Sequence, residues 1–317
     1  MLGAAILLMG AGPAAGDDPY PNRPITLIVP FAPGGIADLT ARVVAEAMAH
    51  ELRQPMVVDN RPSAGNIVGS AAVAQARPDG YTLLLMSNGN AVSASLFRKL
   101  PFDVRKDFAP VSTLGFFDLV VMADSGSRYT SLADVLDDAR KRPGKLTIGT
   151  IALGSTQNLA AELFRSMARI DVLIVPYKGS PAVLNAVRAG EIDIAFEILG
   201  PMLAQINAGA VRALAVTSRA RHAALPAVPA ARELAGLDEY VVASWNALAA
   251  PAGTSPAVVE RLVLVAREAL GSTSVRRRLE SLGVRPQAGS PAELRGLLDG
   301  EITRWRAVIA AARIEPQ

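Results

Sequence analysis

The chain is 317 residues long, with 50% hydrophobic and 19% charged residues, a composition that folds rather than staying disordered and a length for about two domains. Its 32 basic and 29 acidic residues leave a net charge of +3, too small for the electrostatic footprint of a nucleic-acid-binding protein. Cysteine is absent and histidine occurs only at His50 and His222, which excludes disulfides, thiolate chemistry, a lipidated N-terminal cysteine and a histidine-rich metal site, and leaves a Ser-His-Asp triad only those two positions.

Residues 1–16 read as a secretory leader: an apolar stretch from Leu2 to Ala11, then small residues around Pro13, Ala14 and Ala15. No Lys or Arg precedes the apolar stretch, so a start codon further upstream is expected. No later segment offers about 20 uninterrupted apolar residues, so an exported, soluble protein without a lipid anchor, beginning near Gly16 or Asp17, is predicted.

Next come a strand at Ile25–Val29 and a helix carrying Ile36, Leu39, Val43, Val44, Ala47 and Met48 at helical spacing. A strand at Met56–Val58, a helix over Val68–Ala76 and a strand at Tyr81–Met86 after the Pro78-Asp79-Gly80 turn complete a doubly wound α/β unit. A second unit is predicted from Leu119–Met122, with helices at Leu132–Arg140, Thr156–Met167, Ala182–Arg188 and Met202–Asn207. Its strands are placed at Lys145–Gly149, Val172–Val175, Ile192–Phe196 and Val211–Val216. Helices at Ala257–Leu270, Ser274–Leu282 and Pro291–Ala312 follow. A strand over Val241–Leu248 would carry the chain back to the first unit. Two crossings, near Leu114–Phe117 and Val242–Trp245, would then form a hinge.

Two loops stand at carboxyl ends of strands and open helices, where unpaired N–H groups and the helix dipole favour an anion. The first holds Phe31, Pro33, Gly34, Gly35 and Asp38, with Asp38 able to cap the turn or accept a ligand amine. The second is Gly154-Ser155-Thr156-Gln157-Asn158, with Ser155 or Thr156 as cap. Each is also what an ordinary strand-helix turn looks like, and it is their recurrence in both units that suggests a cleft gripping one anion from two sides. Ser87 and Asn88, Tyr177 and Lys178, and Glu197 occupy loops or strand ends of the same kind. Glu197, beside Ala195, Phe196 and Ile198, needs a partner such as a ligand amine, a water or Lys178. Arg276-Arg277-Arg278 reads as a wet helix face, and neither histidine reads as catalytic. No dinucleotide, Walker, GxSxG or HExxH pattern occurs, so no cofactor and no metal are expected.

The order of these segments resembles the Bug family, the TctC-like extracytoplasmic solute receptors of tripartite tricarboxylate transporters. The resemblance is carried by YPNRPITLIVPFAPGGIADLTAR at Tyr20–Arg42, NRPSAG at Asn60–Gly65, RPDGYTLLL at Arg77–Leu85 and DFAPVSTLG at Asp107–Gly115. It continues through GSTQNLAAELF at Gly154–Phe164, VPYKGSPAVLNAVRAGEIDIAF at Val175–Phe196 and SWNALAAPAGTS at Ser244–Ser255. It implies a two-lobed, type II-like periplasmic-binding-protein fold of two Rossmann-like α/β domains joined by two crossover strands. Expected bounds are 22–116 plus 245–317 for one lobe and 117–244 for the other.

The resemblance further implies a monomeric periplasmic receptor, not an enzyme, that closes on a small carboxylate (a di- or tricarboxylate, an acidic amino acid or an aromatic acid), partly through ordered water. A membrane permease would then receive the ligand. A sensor kinase as partner is the alternative, and an acid-base enzyme using Asp38 and Glu197 a minor one. Four departures from the family pattern stand out. Asn158 replaces a common His, Glu197 a common Asp, and Ile67 the family's Asn, which leaves the role of Asn66 open. Pro226–Glu233 replaces the PTVAEAG stretch.

Overall fold

The computed structural model describes residues 20–317, and the predicted leader lies outside the described residues. Strand β1 (Ile25–Val29) lies between β2 (Met56–Asn60) and β3 (Thr82–Ser87), all parallel. The near-continuous apolar runs of β1 and β3 are those of strands covered on both faces. Helix α1 (Ile36–Leu52) covers one face of this half, and α2 (Ile67–Ala74) and α3 (Asn88–Leu96) the other.

Strand β4 (Phe108–Asp124) runs unbroken through both halves of the molecule. In the first half it pairs with β9 (Ala243–Pro251) and the short β10 (Arg285–Pro286), both antiparallel. In the second it pairs with β7 (Ile194–Ile198) and β8 (Val211–Val216). Beyond β7 the parallel strands β5 (Thr147–Ile151) and β6 (Leu173–Tyr177) complete the order β2-β1-β3-β9-β4-β7-β5-β6. Helices α4 (Leu132–Lys141) and α5 (Thr156–Ala168) pack on one side of the second half, and α6 (Ser180–Arg188) and α7 (Leu199–Asn207) on the other.

The chain returns through β9, which pairs with β3 over Leu84–Ser87. Its entry is held by Val242 N–H donating to Thr217 O at 2.9 Å and Thr217 Oγ1 donating to Val242 O at 2.6 Å. The two crossings therefore lie side by side, with Phe117 opposite Ser244 and Asp118 opposite Ala243. Helices α8 (Pro256–Gly271) and α9 (Thr273–Ser281) pack beside α1. Helix α10 (Pro291–Ala311) buries Leu294, Leu298, Ile302 and Trp305 against α3 and α5, one from each half.

Two expectations are corrected. Ser87 and Asn88 do stand at the carboxyl end of a strand, but they open a helix, α3, that was not expected: Ser87 Oγ accepts the Gly89 N–H at 3.1 Å and Asn90 Oδ1 accepts the Ser87 N–H at 2.9 Å, a reciprocal cap. The strand expected over Leu119–Met122 lies near the end of one 17-residue strand, because β4 absorbs two irregularities in its register with β9, between Pro110 and Ser112 and between Thr113 and Gly115.

Candidate functional site

The two candidate loops are built on the same device. Gly34 and Gly154 have φ of +82° and +76°, the left-handed region that glycine enters without penalty. Each directs its N–H at the side chain four residues on. Gly34 donates to Asp38 Oδ2 at 2.9 Å and Gly154 to Asn158 Oδ1 at 3.1 Å. The residue after each glycine, Gly35 or Ser155, is the N-cap of its helix, and Ser155 Oγ accepts the Asn158 N–H at 3.1 Å. First-turn N–H groups at the two helix ends thus point out of α1 and α5, where the dipole is positive. Pro33, Gly34 and Gly35 are exposed, and Gly154, Ser155 and Thr156 half-buried.

Asp38 is 2% exposed and turned inward, not outward as a capping or amine-accepting group would be. Its oxygens accept from Gly34 N, from Arg42 Nε at 3.0 Å and from Asn60 Nδ2 at 2.9 Å. Asn60 also donates to the carbonyl of Phe31 at 3.0 Å, so one side chain from β2 ties both ends of the loop. Burial pushes the Asp38 pKa up, but the bonds from Arg42, Gly34 and Asn60 and the Arg42 charge outweigh it and hold it below the usual carboxylate range. Asp38 is a loop clamp. Asn158, 1% exposed, does the same in the second half and donates to Thr150 Oγ1 at 3.3 Å.

A line of polar contacts joins α10, α3, α5 and β9. Trp305 Nε1 donates to Asn88 Oδ1 at 2.8 Å, Asn88 Nδ2 to Thr156 Oγ1 at 2.9 Å, and Thr156 Oγ1 to Ser244 Oγ at 3.3 Å. Ser87 is occupied as a cap and accepts from Asn66 Nδ2 at 3.0 Å, which gives Asn66 a structural role.

Glu197, at the end of β7, is 1% exposed. Its Oε2 accepts from Ser180 Oγ at 2.8 Å, Gln157 Nε2 at 3.3 Å and the Ile198 N–H at 3.3 Å, while Oε1 has no partner. Burial raises its pKa, against those three bonds. Lys178, suggested as its partner, is exposed and makes no ion pair with it, and Tyr177 is a half-buried residue packed against the second-half core. The clamps Arg42 and Asn60 and the Glu197 partner Ser180 were not singled out from sequence. Arg42 had a readable signal in its i, i+4 spacing from Asp38, whereas Asn60 and Ser180 act from other elements.

Among the described residues no cluster of His, Cys, Asp and Glu suited to a metal ion occurs, and no helix is long and apolar enough to cross a membrane. His50 is exposed beside Glu51, and His222 lies in a turn where its Nδ1 accepts the Ala224 N–H.

The profile described as Tripartite tricarboxylate transporter family receptor matches residues 40–314. Protein BugT of Bordetella pertussis is 38% identical over 312 residues, covering 98% of this chain and 95% of BugT. Among solved structures, R. palustris Rpa4515 with adipate is 34% identical, with TM-score 0.82 over 94% of this chain and 100% of that one. MatC (Rpa3494) from Rhodopseudomonas palustris with bound malate is 31% identical, with TM-score 0.78 over 92% and 100%. The fold is that of solved periplasmic binding proteins, two α/β lobes joined by crossing strands. The chain belongs to the tripartite tricarboxylate transporter receptor family, the Bug proteins, and is a solute-binding receptor, not an enzyme.

Proposed function

We propose that this receptor captures a small dicarboxylate between the loops at Gly34–Gly35 and Gly154–Thr156, in the periplasm, and presents it to the permease of a tripartite transporter. The observation that carries the reading is the glycine clamp repeated in both halves, at the N-terminus of α1 in one and of α5 in the other, each a place where an anion is favoured. That two similar proteins are named with adipate and malate supports a dicarboxylate. Lobes of 22–116 plus 245–317 and of 117–244 would close about the paired crossings, with the closed form favoured by its extra contacts to the ligand. Asn88 and Thr156, already bonded to each other across the halves, would lie at the base of the closed cleft. Glu197, with one buried oxygen free, would read a hydroxyl or amine on the ligand backbone.

The test is a thermal-shift and calorimetric screen of refolded, ligand-stripped protein against adipate, malate, succinate, citrate, aspartate and monocarboxylates. A ligand at 100 times its Kd adds about 2.7 kcal/mol of stability. Gly34→Asp and Ser155→Asp, which put negative charge at the two helix ends, should each weaken the best ligand at least tenfold. Absence of stabilisation by any acid, or unchanged affinity in both variants, refutes the reading.

A further inference from the structure

A large cavity lies elsewhere among the described residues, on the other face of the crossing strands. Successive residues of β9 face opposite ways, so that Ser244 meets Thr156 while Trp245 turns from it. Phe116, Asp118, Ala243 and Trp245, paired across β4 and β9, share that second face and floor a cavity of 910 Å³. One wall is the loop after β8, from Ser218 to Ala224. The other comes from the segment entering β10, including Val284, and from α10, including Leu297.

Two polar atoms at this floor have no partner in the protein: Asp118 Oδ1 and Trp245 Nε1, on residues 7% and 1% exposed. Leaving such groups unmade costs stability, and native proteins do it rarely. The rim charges are mostly engaged. Arg221 pairs with Glu233, Arg304 with Glu301, and Arg285 lies over the Phe116 ring with its centre 5.2 Å from the ring centroid. The remaining floor and walls are largely apolar, and the volume lies at the upper end of small-molecule sites.

We propose that this cavity is a second ligand site, for a small uncharged molecule with an apolar or aromatic body and one hydroxyl or primary amide that donates to Asp118 and accepts from Trp245. A group with both functions satisfies both orphaned atoms at once. A carboxylate placed at the same spot would bring a second acceptor against Asp118, which an uncharged donor-acceptor group avoids. The site is thus complementary in chemistry to the acid cleft on the opposite face.

The test is ligand-observed NMR titration of the full folded protein with phenol, benzyl alcohol and benzamide, with toluene as the probe lacking a polar handle. The hydroxyl and amide probes should bind about tenfold tighter than toluene, the factor expected for one net hydrogen bond. Trp245→Phe and Asp118→Ala should each remove that advantage, while Asp118→Asn, which keeps an acceptor, should restore it. Ser155→Asp, in the acid cleft, should leave probe binding unchanged. If Asp118→Ala does not fold, Trp245→Phe and Asp118→Asn carry the comparison. The proposal is overturned if no probe binds the folded protein, if toluene binds as well as phenol, or if Trp245→Phe binds all probes as wild type does.

Discussion

Replacing Asp38 by Asn tests the clamp at the first loop. Asp38 accepts from a backbone amide, a guanidinium and a carboxamide while itself 2% exposed. Asparagine keeps one acceptor oxygen and turns an NH₂ toward groups that are themselves donors, leaving at least one of them unpaired. A hydrogen bond to a charged group contributes about 1.5–3 kcal/mol. The Arg42 side chain is 47% exposed, so water replaces much of its share, and a net loss of about 2 kcal/mol is expected. For a chain of 317 residues, unfolding with roughly 2.1 cal/mol/K of entropy per residue, that lowers Tm by roughly 3 °C. The pH dependence has a definite sign. The folded-state pKa of Asp38 lies below its unfolded value, so its contribution is complete above the ordinary Asp range and is lost as pH falls through the folded value. Scanning calorimetry of both proteins from pH 7 to pH 3 should show the Tm gap narrowing toward the acid end. A gap under 1 °C at pH 7, or one that widens on acidification, refutes the clamp.

Glu197 predicts the opposite sign: its folded pKa is raised by burial, so stability falls as pH rises from the ordinary Glu value through the folded one. Glu197→Gln should therefore melt higher than wild type at pH 7 and equally near pH 3, as read by circular dichroism, and should lose any preference for malate over succinate. Gly154→Ala should cost more than Gly34→Ala, since both carry positive φ but only at Gly154 would the new methyl run into Leu96, with open space at Gly34. Strain alone is about 1 kcal/mol, and the clash should add 1–3 kcal/mol, on the order of overpacking elsewhere, to be measured by urea denaturation. Trp305→Phe, which removes the donor to Asn88 and Glu301, should destabilise by about 1–2 kcal/mol in the same assay.

The strands and their order of appearance were legible because parallel strands covered on both faces are runs such as Ile25–Val29 and Thr82–Met86 that no amphipathic helix would show. Ser155 as a cap was legible for the same local reason, since an N-cap is decided within four residues. Helix α3 was not. Asn88-Gly89-Asn90 has poor helix propensity, and the helix is held by the Ser87–Asn90 cap and by packing against α10, some 200 residues away. Nor was the direction in which Asp38 points. A carboxylate at a helix start is equally suited to a ligand or to a clamp, and Asn60 decides between them from β2, at a register where it pairs with Val29. Glu197 gave a correct signal, an acid in an apolar strand needing partners, but Ser180 and Gln157 reach it from two other helices.

The unbroken course of β4 through both halves has a consequence for how the molecule comes apart. In each half this strand is hydrogen-bonded on both edges, to β9 and β10 in one and to β7 and β8 in the other, so neither sheet is complete without it. Lifting β4 from one half exposes two strand edges there and pulls on the register of the other. Two separately ordered lobes with an independent linker would melt in two steps, whereas a shared central strand ties their unfolding into one cooperative transition, with the calorimetric enthalpy matching the van't Hoff value.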